Sequence, residues 1–472
     1  MQNSPCMYFI LGNEFQSHYG IDITNSKERY FTIGNENKRK KFAFKINSIN
    51  KSPKETTDTL TKEQRDFKEN TLPLAQFAED LDMEKLNRIH ALIIKHHKSF
   101  RKDGEPLTAI KGHELNVRLS CKAPYPPSLK RPPYPASPKS RKAIETLIQE
   151  LVDLEIIRKV PEGEPVEITT PVIVTWHNEK ARLVGDFRAL NNYVIADRYP
   201  LPRIDTSIRK LRGAMFLTAI DIMKGFHQNM IALLCRIFFR IITHMGVYEY
   251  MRMPFGYKNA PSHFQRMMDE EFAEMIREGW LIIYIDDIII FTETFEDHLE
   301  KLERVLLKCQ EMNMTISMKK CRFAYSEITA LGHIVSGLNI CIDQNRVAAV
   351  LQQPVPNNLK EMQSFLGFAN YYRSHIKDFA KVSKPLYELC SPSTNFEMTH
   401  QRIQAYEELK LRLTSAPFLI HPDYDQPFIL YVDASMDGLG SALHQTVIYE
   451  DKPVEKPVCF ISRQLKPAEG RY

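Results

Sequence analysis

The residues best suited to chemistry are two adjacent carboxylates, Asp286 and Asp287, in the run Leu281-Ile-Ile-Tyr-Ile-Asp-Asp-Ile-Ile-Ile-Phe291. Nine apolar residues flank the pair. Unpaired charge is costly to bury, so a pair in this setting needs a compensating cation. The isoleucine-rich runs on either side predict two buried strands joined by a tight turn. That puts both carboxylates at the turn of a hairpin, a geometry that offers hard oxygen ligands to Mg2+. The plain alternative is a surface hairpin with an acidic turn, and the length of the apolar run argues against it.

A third carboxylate fits the first two. Asp221 ends the apolar run Phe216-Leu-Thr-Ala-Ile220, and a helix-like segment follows. A carboxylate at the end of a buried strand, beside the hairpin turn, completes a cluster of three aspartates. Such clusters hold two divalent ions, one activating an attacking 3′-hydroxyl and both steadying a transferring phosphoryl group. Taken by itself, Asp221 also reads as an ordinary helix N-cap.

The elements that must position these residues follow from pattern and composition. The chain has 472 residues, 43% hydrophobic and 26% charged, enough for several globular domains. No apolar run reaches the length of a membrane span, and no secretory signal is read at the N-terminus. The eight cysteines are scattered with no CxxC pair, so neither a zinc site nor a disulfide framework is predicted. Reduced thiols inside the cell are the expectation. The net charge of +5 is a weak pointer to a polyanionic partner.

Residues 51–70 carry few large apolar side chains and read as a linker, followed by a short helical pattern through Leu81, Leu86, Ile89 and Ile93. Seven prolines between Pro124 and Pro138 predict an extended, polyproline-like stretch. Ser137 then N-caps a helix with Pro138 at its first position and Ile144, Leu147, Ile148, Leu151 and Leu154 on one face. From 165 to 336 strand-like runs alternate with amphipathic ones. Residues 353–380 are helical, with Asn358 and Glu361 at capping-box spacing. Strand-like runs return from 426.

Five motifs lie in order along this frame. They are Arg182-Leu-Val-Gly-Asp-Phe-Arg188-Ala-Leu-Asn191, Ile220-Asp221-Ile-Met-Lys-Gly-Phe226-His-Gln228, Met253-Pro-Phe-Gly256-Tyr-Lys-Asn-Ala-Pro261-Ser-His-Phe-Gln265, Tyr284-Ile-Asp-Asp287 and Leu331-Gly-His-Ile-Val-Ser336. Together they resemble the fingers and palm of a reverse transcriptase of gypsy-type LTR retrotransposons. The likeness continues through Leu359-Lys-Glu-Met-Gln-Ser-Phe-Leu-Gly-Phe-Ala-Asn-Tyr-Tyr-Arg373 and covers roughly residues 115–472.

The resemblance implies roles residue by residue. Asp221, Asp286 and Asp287 match the metal-binding catalytic triad, with two Mg2+ ions, or Mn2+ in their place. Tyr284 would lie beside the primer end. Phe226 matches an aromatic against the sugar of the incoming nucleotide, where a flat ring excludes a 2′-hydroxyl; without the motif it is equally a core aromatic. Arg182 matches a fingers arginine on the triphosphate, which suits bidentate guanidinium geometry. Gly256 would allow close approach of template or nucleotide, or simply make a turn. Lys258 and Gln265 are candidates for template contact, or solvated helix residues. Gly332 and His333 lie in the segment resembling the primer grip. Asp186 and Arg188 are structural or template-positioning. Lys319 or Lys320 matches a late-palm lysine, a proton donor to pyrophosphate. Trp176 or His177 replaces fingers lysines by stacking. One stretch departs from the family: Ala232-Leu-Leu-Cys-Arg-Ile-Phe-Phe239 stands where a polar turn and a basic residue are usual.

At the two ends the resemblance is partial. Tyr8-Phe-Ile-Leu-Gly-Asn-Glu-Phe15 resembles the C-terminal turn of a retropepsin-like protease, but no Asp-Thr-Gly or Asp-Ser-Gly occurs in the sequence. Leu430-Tyr-Val-Asp433-Ala-Ser-Met-Asp-Gly438 resembles the first strand of an RNase H domain, with Asp433 as a vestigial metal ligand; Glu469 does not match its catalytic glutamate. Neither protease nor RNase H activity is expected. The predicted fold is α+β, a right-hand polymerase followed by a partial RNase H-like α/β domain. Its expected parts are a protease remnant (1–50), a linker and short helix (51–114), fingers and palm (115–336), a thumb-like helical region (337–400), a connection (401–425) and a truncated RNase H-like domain (426–472). The expected function is RNA-directed DNA synthesis on an RNA template from a DNA primer or RNA–DNA hybrid with dNTPs. The alternative is a non-catalytic nucleic-acid-binding relic. The resemblance implies no membrane partner and a place in the cytoplasm, within a virus-like particle, and in the nucleus.

Overall fold

The computed structural model describes residues 21–24, 30–33, 40–43, 60–101, 105, 107–177, 180–435, 438–449, 451–466 and 469. The chain divides into two compact units, Met1–Arg65 and Asp66–Tyr472. In the first, strands β1 (Ile21–Thr24), β2 (Tyr30–Ile33) and β3 (Lys40–Ala43) form an antiparallel meander. The protease-like motif of residues 8–15 lies outside the described residues.

In the second unit a five-stranded sheet makes the fingers. Its order is β6 (Ile157–Lys159), β11 (Gly246–Tyr250), β10 (Arg240–Thr243), β7 (Thr170–His177), β8 (Lys180–Gly185). The helix predicted after the prolines, α3 (Pro138–Asp153), packs on it through Ile144 and Ile148. Ser137 caps that helix by accepting from Ser140 N at 3.2 Å. Asp186, at the end of β8, is buried and accepts from Arg131 at 2.9 Å, Arg188 at 2.7 Å and the Tyr134 hydroxyl at 2.5 Å. These donors hold its carboxyl well below the usual carboxylate range. Asp186 therefore pins the proline-rich segment to the fingers. Arg188 opens the short helix α4 (Arg188–Tyr193).

The palm is a second five-stranded sheet in the order β12 (Leu281–Tyr284), β13 (Asp287–Thr292), β9 (Phe216–Asp221), β15 (Arg322–Tyr325), β4 (Gln76–Phe77). Its central strands read as near-continuous apolar runs because helices cover the sheet. Chief among these is α7 (Phe295–Glu311), which buries Phe295, Leu302, Val305, Leu306 and Cys309. Where it is described, the stretch expected as a linker and short helix (51–114) is packed structure. Helix α1 (Lys62–Asn70) buries Phe67, β4 extends the palm sheet, and α2 (Met83–Lys95) lies against α7 with Ile89 and Ile93 at 0% exposure. Strand β5 (Phe100–Arg101) then pairs with β14 (Ile316–Ser317). The segment is charged because only one stripe of each helix is buried, so composition hides its packing.

After the palm, a four-stranded sheet runs in the order β16 (Glu327–Ala330), β17 (His333–Ser336), β18 (Asn339–Ile342), β19 (Leu419–Ile420). Between β18 and β19 lies a helical body: α8 (Gln344–Leu351), α9 (Leu359–Tyr371), α10 (Phe379–Glu388) and α11 (His400–Thr414). Glu361 N donates to Asn358 Oδ1 at 3.0 Å, the predicted cap of α9. The division expected at residue 400 is absent from the packing: Tyr406, Leu409 and Leu413 of α11 join one core with Met362, Phe365 and Leu386. Last comes an antiparallel sheet of β20 (Ile429–Ser435), β21 (Gly438–Tyr449) and β22 (Lys452–Gln464), with α10 against β22.

Candidate active site

The three aspartates meet through strand register. Strand β13 pairs antiparallel with β9 so that Asp287 stands opposite Asp221, and Tyr284 pairs with Asp287 across β12–β13. Only Ile285 and Asp286 are left to form the turn. Ile285 has φ +56°, a left-handed conformation that costs a β-branched residue about 1–2 kcal/mol. Gln265, on α6 (Ala260–Glu271), offsets this. Its Oε1 accepts from Ile285 N at 2.7 Å and its Nε2 donates to Ile283 O at 3.2 Å and Asp269 Oδ1 at 2.9 Å. Gln265 is 0% exposed, so it is a clamp on the catalytic turn and not a template contact. From the other side comes α5 (Gly225–Gln228). A Cβ on Gly225 would stand 3.1 Å from Phe264 and 3.4 Å from Asp286 Cβ, so glycine lets this helix start lie against the turn. Gln228 fixes the helix end, donating to Met223 O at 2.7 Å and Thr315 O at 2.8 Å.

Asp221 and Asp287 line a cleft of about 260 Å3 shared with Lys320, Arg322, Leu331, Gly332 and Arg346, and Asp286 stands in the turn beside it. Lys320 Nζ lies 3.1 Å from Asp221 Oδ1, which distinguishes it from Lys319 as the lysine at the site. Burial, then the Asp286 and Asp221 carboxylates, pushes the Asp287 carboxyl up to about 6. Three carboxylates crowded at one sheet edge suit a cluster of hard oxygen donors for Mg2+. Among the described residues no three metal-binding side chains are drawn close enough to cage an ion. The carboxylates are juxtaposed by strand pairing, and the nearby positive charge comes from Lys320 and Arg346.

The remaining candidates divide. Phe226 is half-buried, 5.3 Å from the exposed Phe255 ring and 5.7 Å from Phe264, on the helix that abuts Asp286. Arg182 is exposed on β8 and makes no hydrogen bond or ion pair with a described residue. Gly256 has φ +87°, and a Cβ there would sit 3.6 Å from Gly185 O, joining its turn to the end of β8. Lys258 is exposed, and its Nζ donates to Asn191 O at 2.6 Å and to Val194 O, at the end of α4, so two of its three donors tie two loops together. His333 does not line the cleft: the residue is 7% exposed, with Nδ1 3.1 Å from Leu331 O, so of the Gly332–His333 pair only Gly332 does. Trp176 is 43% exposed with Lys139 Nζ 4.6 Å from its ring centre; the His177 side chain lies outside the described residues. Asp433 is exposed on β20, opposite Gly440, and Glu469 is bound by Arg463 at 2.7 Å and 3.0 Å. Arg322 and Arg346 were not legible as site residues, since nothing local marks a basic residue that reaches the cleft from another element.

A palm sheet with paired acidic strand ends, a fingers sheet and a separate helical body define the right-hand polymerase fold of reverse transcriptases. Solved structures agree: the foamy viral protease-reverse transcriptase in complex with dsDNA superposes with a TM-score of 0.71 at 22% identity, covering 86% of this chain and 82% of that one. The same viral protein in complex with RNA/DNA hybrid gives 0.68 at 22% identity, over 86% and 53% of the two chains.

Residues 174–335 match the family described as reverse transcriptase (RNA-dependent DNA polymerase), and residues 398–472 the RNase H-like domain found in reverse transcriptase. The chain belongs with the reverse transcriptase regions of LTR-retrotransposon Pol polyproteins. It is similar to the retrovirus-related Pol polyproteins of three Drosophila melanogaster transposons. Identity is 33% with that of transposon 297, over 85% of this chain and 37% of the relative. It is 35% with that of opus, over 72% and 34%, and 34% with that of gypsy, over 69% and 32%. The chain thus spans about a third of the length of these relatives.

Proposed function

We propose that this chain is an RNA-directed DNA polymerase that adds deoxynucleotides to a primer 3′-hydroxyl. The observation that carries the reading is the register pair Asp221–Asp287 beside a two-residue turn bearing Asp286, open to a cleft. Asp221, Asp286 and Asp287 would hold the divalent ions, which supply activation of the 3′-hydroxyl and neutralise charge on the transferring phosphate. Lys320, whose Nζ lies beside Asp221, would hand a proton to the departing pyrophosphate. The Phe226 ring, half-buried between two other rings, offers a flat wall that a 2′-hydroxyl would strike. Arg182, with its guanidinium uncommitted to any described residue, suits the triphosphate. The partners are an RNA template, a DNA primer or RNA–DNA hybrid, and dNTPs. The same reading puts the protein's work in a cytoplasmic particle and in the nucleus.

The test is extension of a primed RNA and a primed DNA template by the purified chain with Mg2+. Extension by the wild type is expected, with a loss on the order of 10³-fold in Asp286→Asn at unchanged thermal unfolding. Near wild-type extension by Asp286→Asn would remove the site assignment. A second reading, a nucleic-acid-binding protein without catalysis, draws on the departing segment: residues Leu233–Phe239 form a 3-10 helix that leaves Leu233 68% and Leu234 85% exposed. Duplex binding without extension by the wild type would favour it.

A further inference from the structure

The aromatic pair at the end of α9, Tyr371 and Tyr372, holds a wall of the cleft from behind, a role the triad chemistry does not use. Tyr371 Oη donates to Leu331 O at 2.5 Å, and Tyr372 Oη donates to Gly332 O at 2.6 Å. Both acceptors belong to the two-residue turn between β16 and β17, which forms a wall of the cleft facing Asp221 and Asp287. The turn is strained on its own account, with φ +48° at Leu331 and +78° at Gly332. Gly332 is also packed from behind: a Cβ there would fall 2.7 Å from Arg346 Nη1 and 3.2 Å from Tyr372 Oη. The His333 ring fills the space below the turn, 5.5 Å from the Tyr371 ring, 5.2 Å from Tyr372 and 5.6 Å from His375. Tyr372 is itself 0% exposed in the core of the helical body. Burial pushes the Tyr371 phenol up to about 12 and raises that of Tyr372, so both remain donors.

We infer that Tyr371 and Tyr372 are positioning residues: they latch the Leu331–Gly332 turn to the helical body, and so set how firmly the cleft holds the end of a primer–template duplex. The inference rests on the polymerase reading for what occupies the cleft. Both turn carbonyls are turned back to the tyrosines, which fixes the opposite edge of the turn toward the cleft. A two-residue turn released from these bonds would relax, and the duplex would meet a mobile wall.

The experiment compares the double variant Tyr371→Phe/Tyr372→Phe, each single variant, and Tyr406→Phe as a control. Tyr406 lies in the same core, and its hydroxyl donates to Pro354 O at 3.1 Å, remote from the turn. The double variant should raise the KM for primer–template about tenfold, the scale of one or two lost hydrogen bonds, while kcat at saturating duplex and the KM for dNTP stay within about twofold. Tyr406→Phe should leave all three unchanged. A wild-type KM for primer–template in the double variant overturns the latch, and so does an equal rise in Tyr406→Phe, which would mean general loosening of the helical body. Should the double variant not fold, the two single variants carry the same comparison. Should the wild type fail to extend, the polymerase reading falls; the latch is then judged by duplex Kd in the same variants, about tenfold weaker if it stands and unchanged if it does not.

Discussion

Removing the amide of Gln265 would leave the Ile285 N–H without its acceptor at the one turn whose geometry sets Asp286. Gln265→Leu should cost about 1–3 kcal/mol of stability, the price of a buried unsatisfied donor. It should also lower kcat more than any KM, because the turn holds a group that acts on the transferring phosphate. Chemical unfolding and steady-state kinetics on the same preparation check both parts, and unchanged kcat would reduce Gln265 to packing. A second buried amide behaves oppositely. Asn229 is 0% exposed and, among the described residues, neither its Nδ2 nor its Oδ1 has a partner. Its backbone bonds, to Phe226 O and from Met253 N, do not need the side chain. Asn229→Leu, which keeps the same branched outline of four side-chain heavy atoms, should therefore stabilise the fold by about 1–2 kcal/mol. A fall in the melting temperature would show that the amide is satisfied in solution.

At the scale of elements, the palm sheet is joined to α7 by a buried polar contact as well as by apolar packing. His298 is 0% exposed, with its Nε2 2.7 Å from Thr218 Oγ1 on β9 and its Nδ1 3.0 Å from Thr292 Oγ1 on β13. Burial lowers its pKa to about 4 from an ordinary 6.5. Between those values the unfolded chain binds more protons than the folded one, so stability rises with pH through that window. The contribution of His298 is complete above about 6.5 and is lost as pH falls toward 4. Denaturant unfolding at a series of pH values should show the palm weakening below pH 6.5. His298→Asn should flatten that part of the profile, though not abolish it, since His227 is likewise held down to about 4 by burial. An unaltered profile in His298→Asn would assign the acid lability elsewhere.

For the whole molecule, the consequential finding is that the polymerase body includes residues well before its first motif. Phe67, Leu72, Ile89, Ile93 and Phe100 are all at or below 6% exposure, and β4 is an edge strand of the palm itself. Each buried side chain of this size contributes about 1.5–3 kcal/mol. A chain beginning at Leu115 should lose more than a domain's ordinary margin and aggregate, whereas one beginning at Asp66 keeps the palm intact. Expression of the two, followed by thermal unfolding, decides it. Equal stability would mean that α1, α2 and β4 pack without supporting the sheet.

What the sequence determined by itself was local chemistry and local shape. Two aspartates inside an isoleucine-rich run specify a hairpin turn whatever surrounds them, and Ser137-Pro138 or Asn358-Glu361 start a helix because the capping atoms lie within one turn. The motifs at 182, 221, 256, 284 and 331 carried the family, and with it the fold, since their order is itself sequence information. Tertiary structure decided which side chains face which. Gln265 and Lys258 read as candidate template contacts because a polar residue on or near a helix does not reveal its partner. The partner of Gln265 was a backbone amide twenty residues on, and those of Lys258 were carbonyls more than sixty residues back. Lys320 and Lys319 are indistinguishable as neighbours in sequence, and only the pairing of β15 with β9 brings one of them to Asp221. Arg346 reaches the cleft, and Tyr371 and Tyr372 the turn that walls it, from helices that pack beside it after long excursions of the chain. Such contacts depend on how elements pack against each other, and no local pattern of residues encodes that geometry.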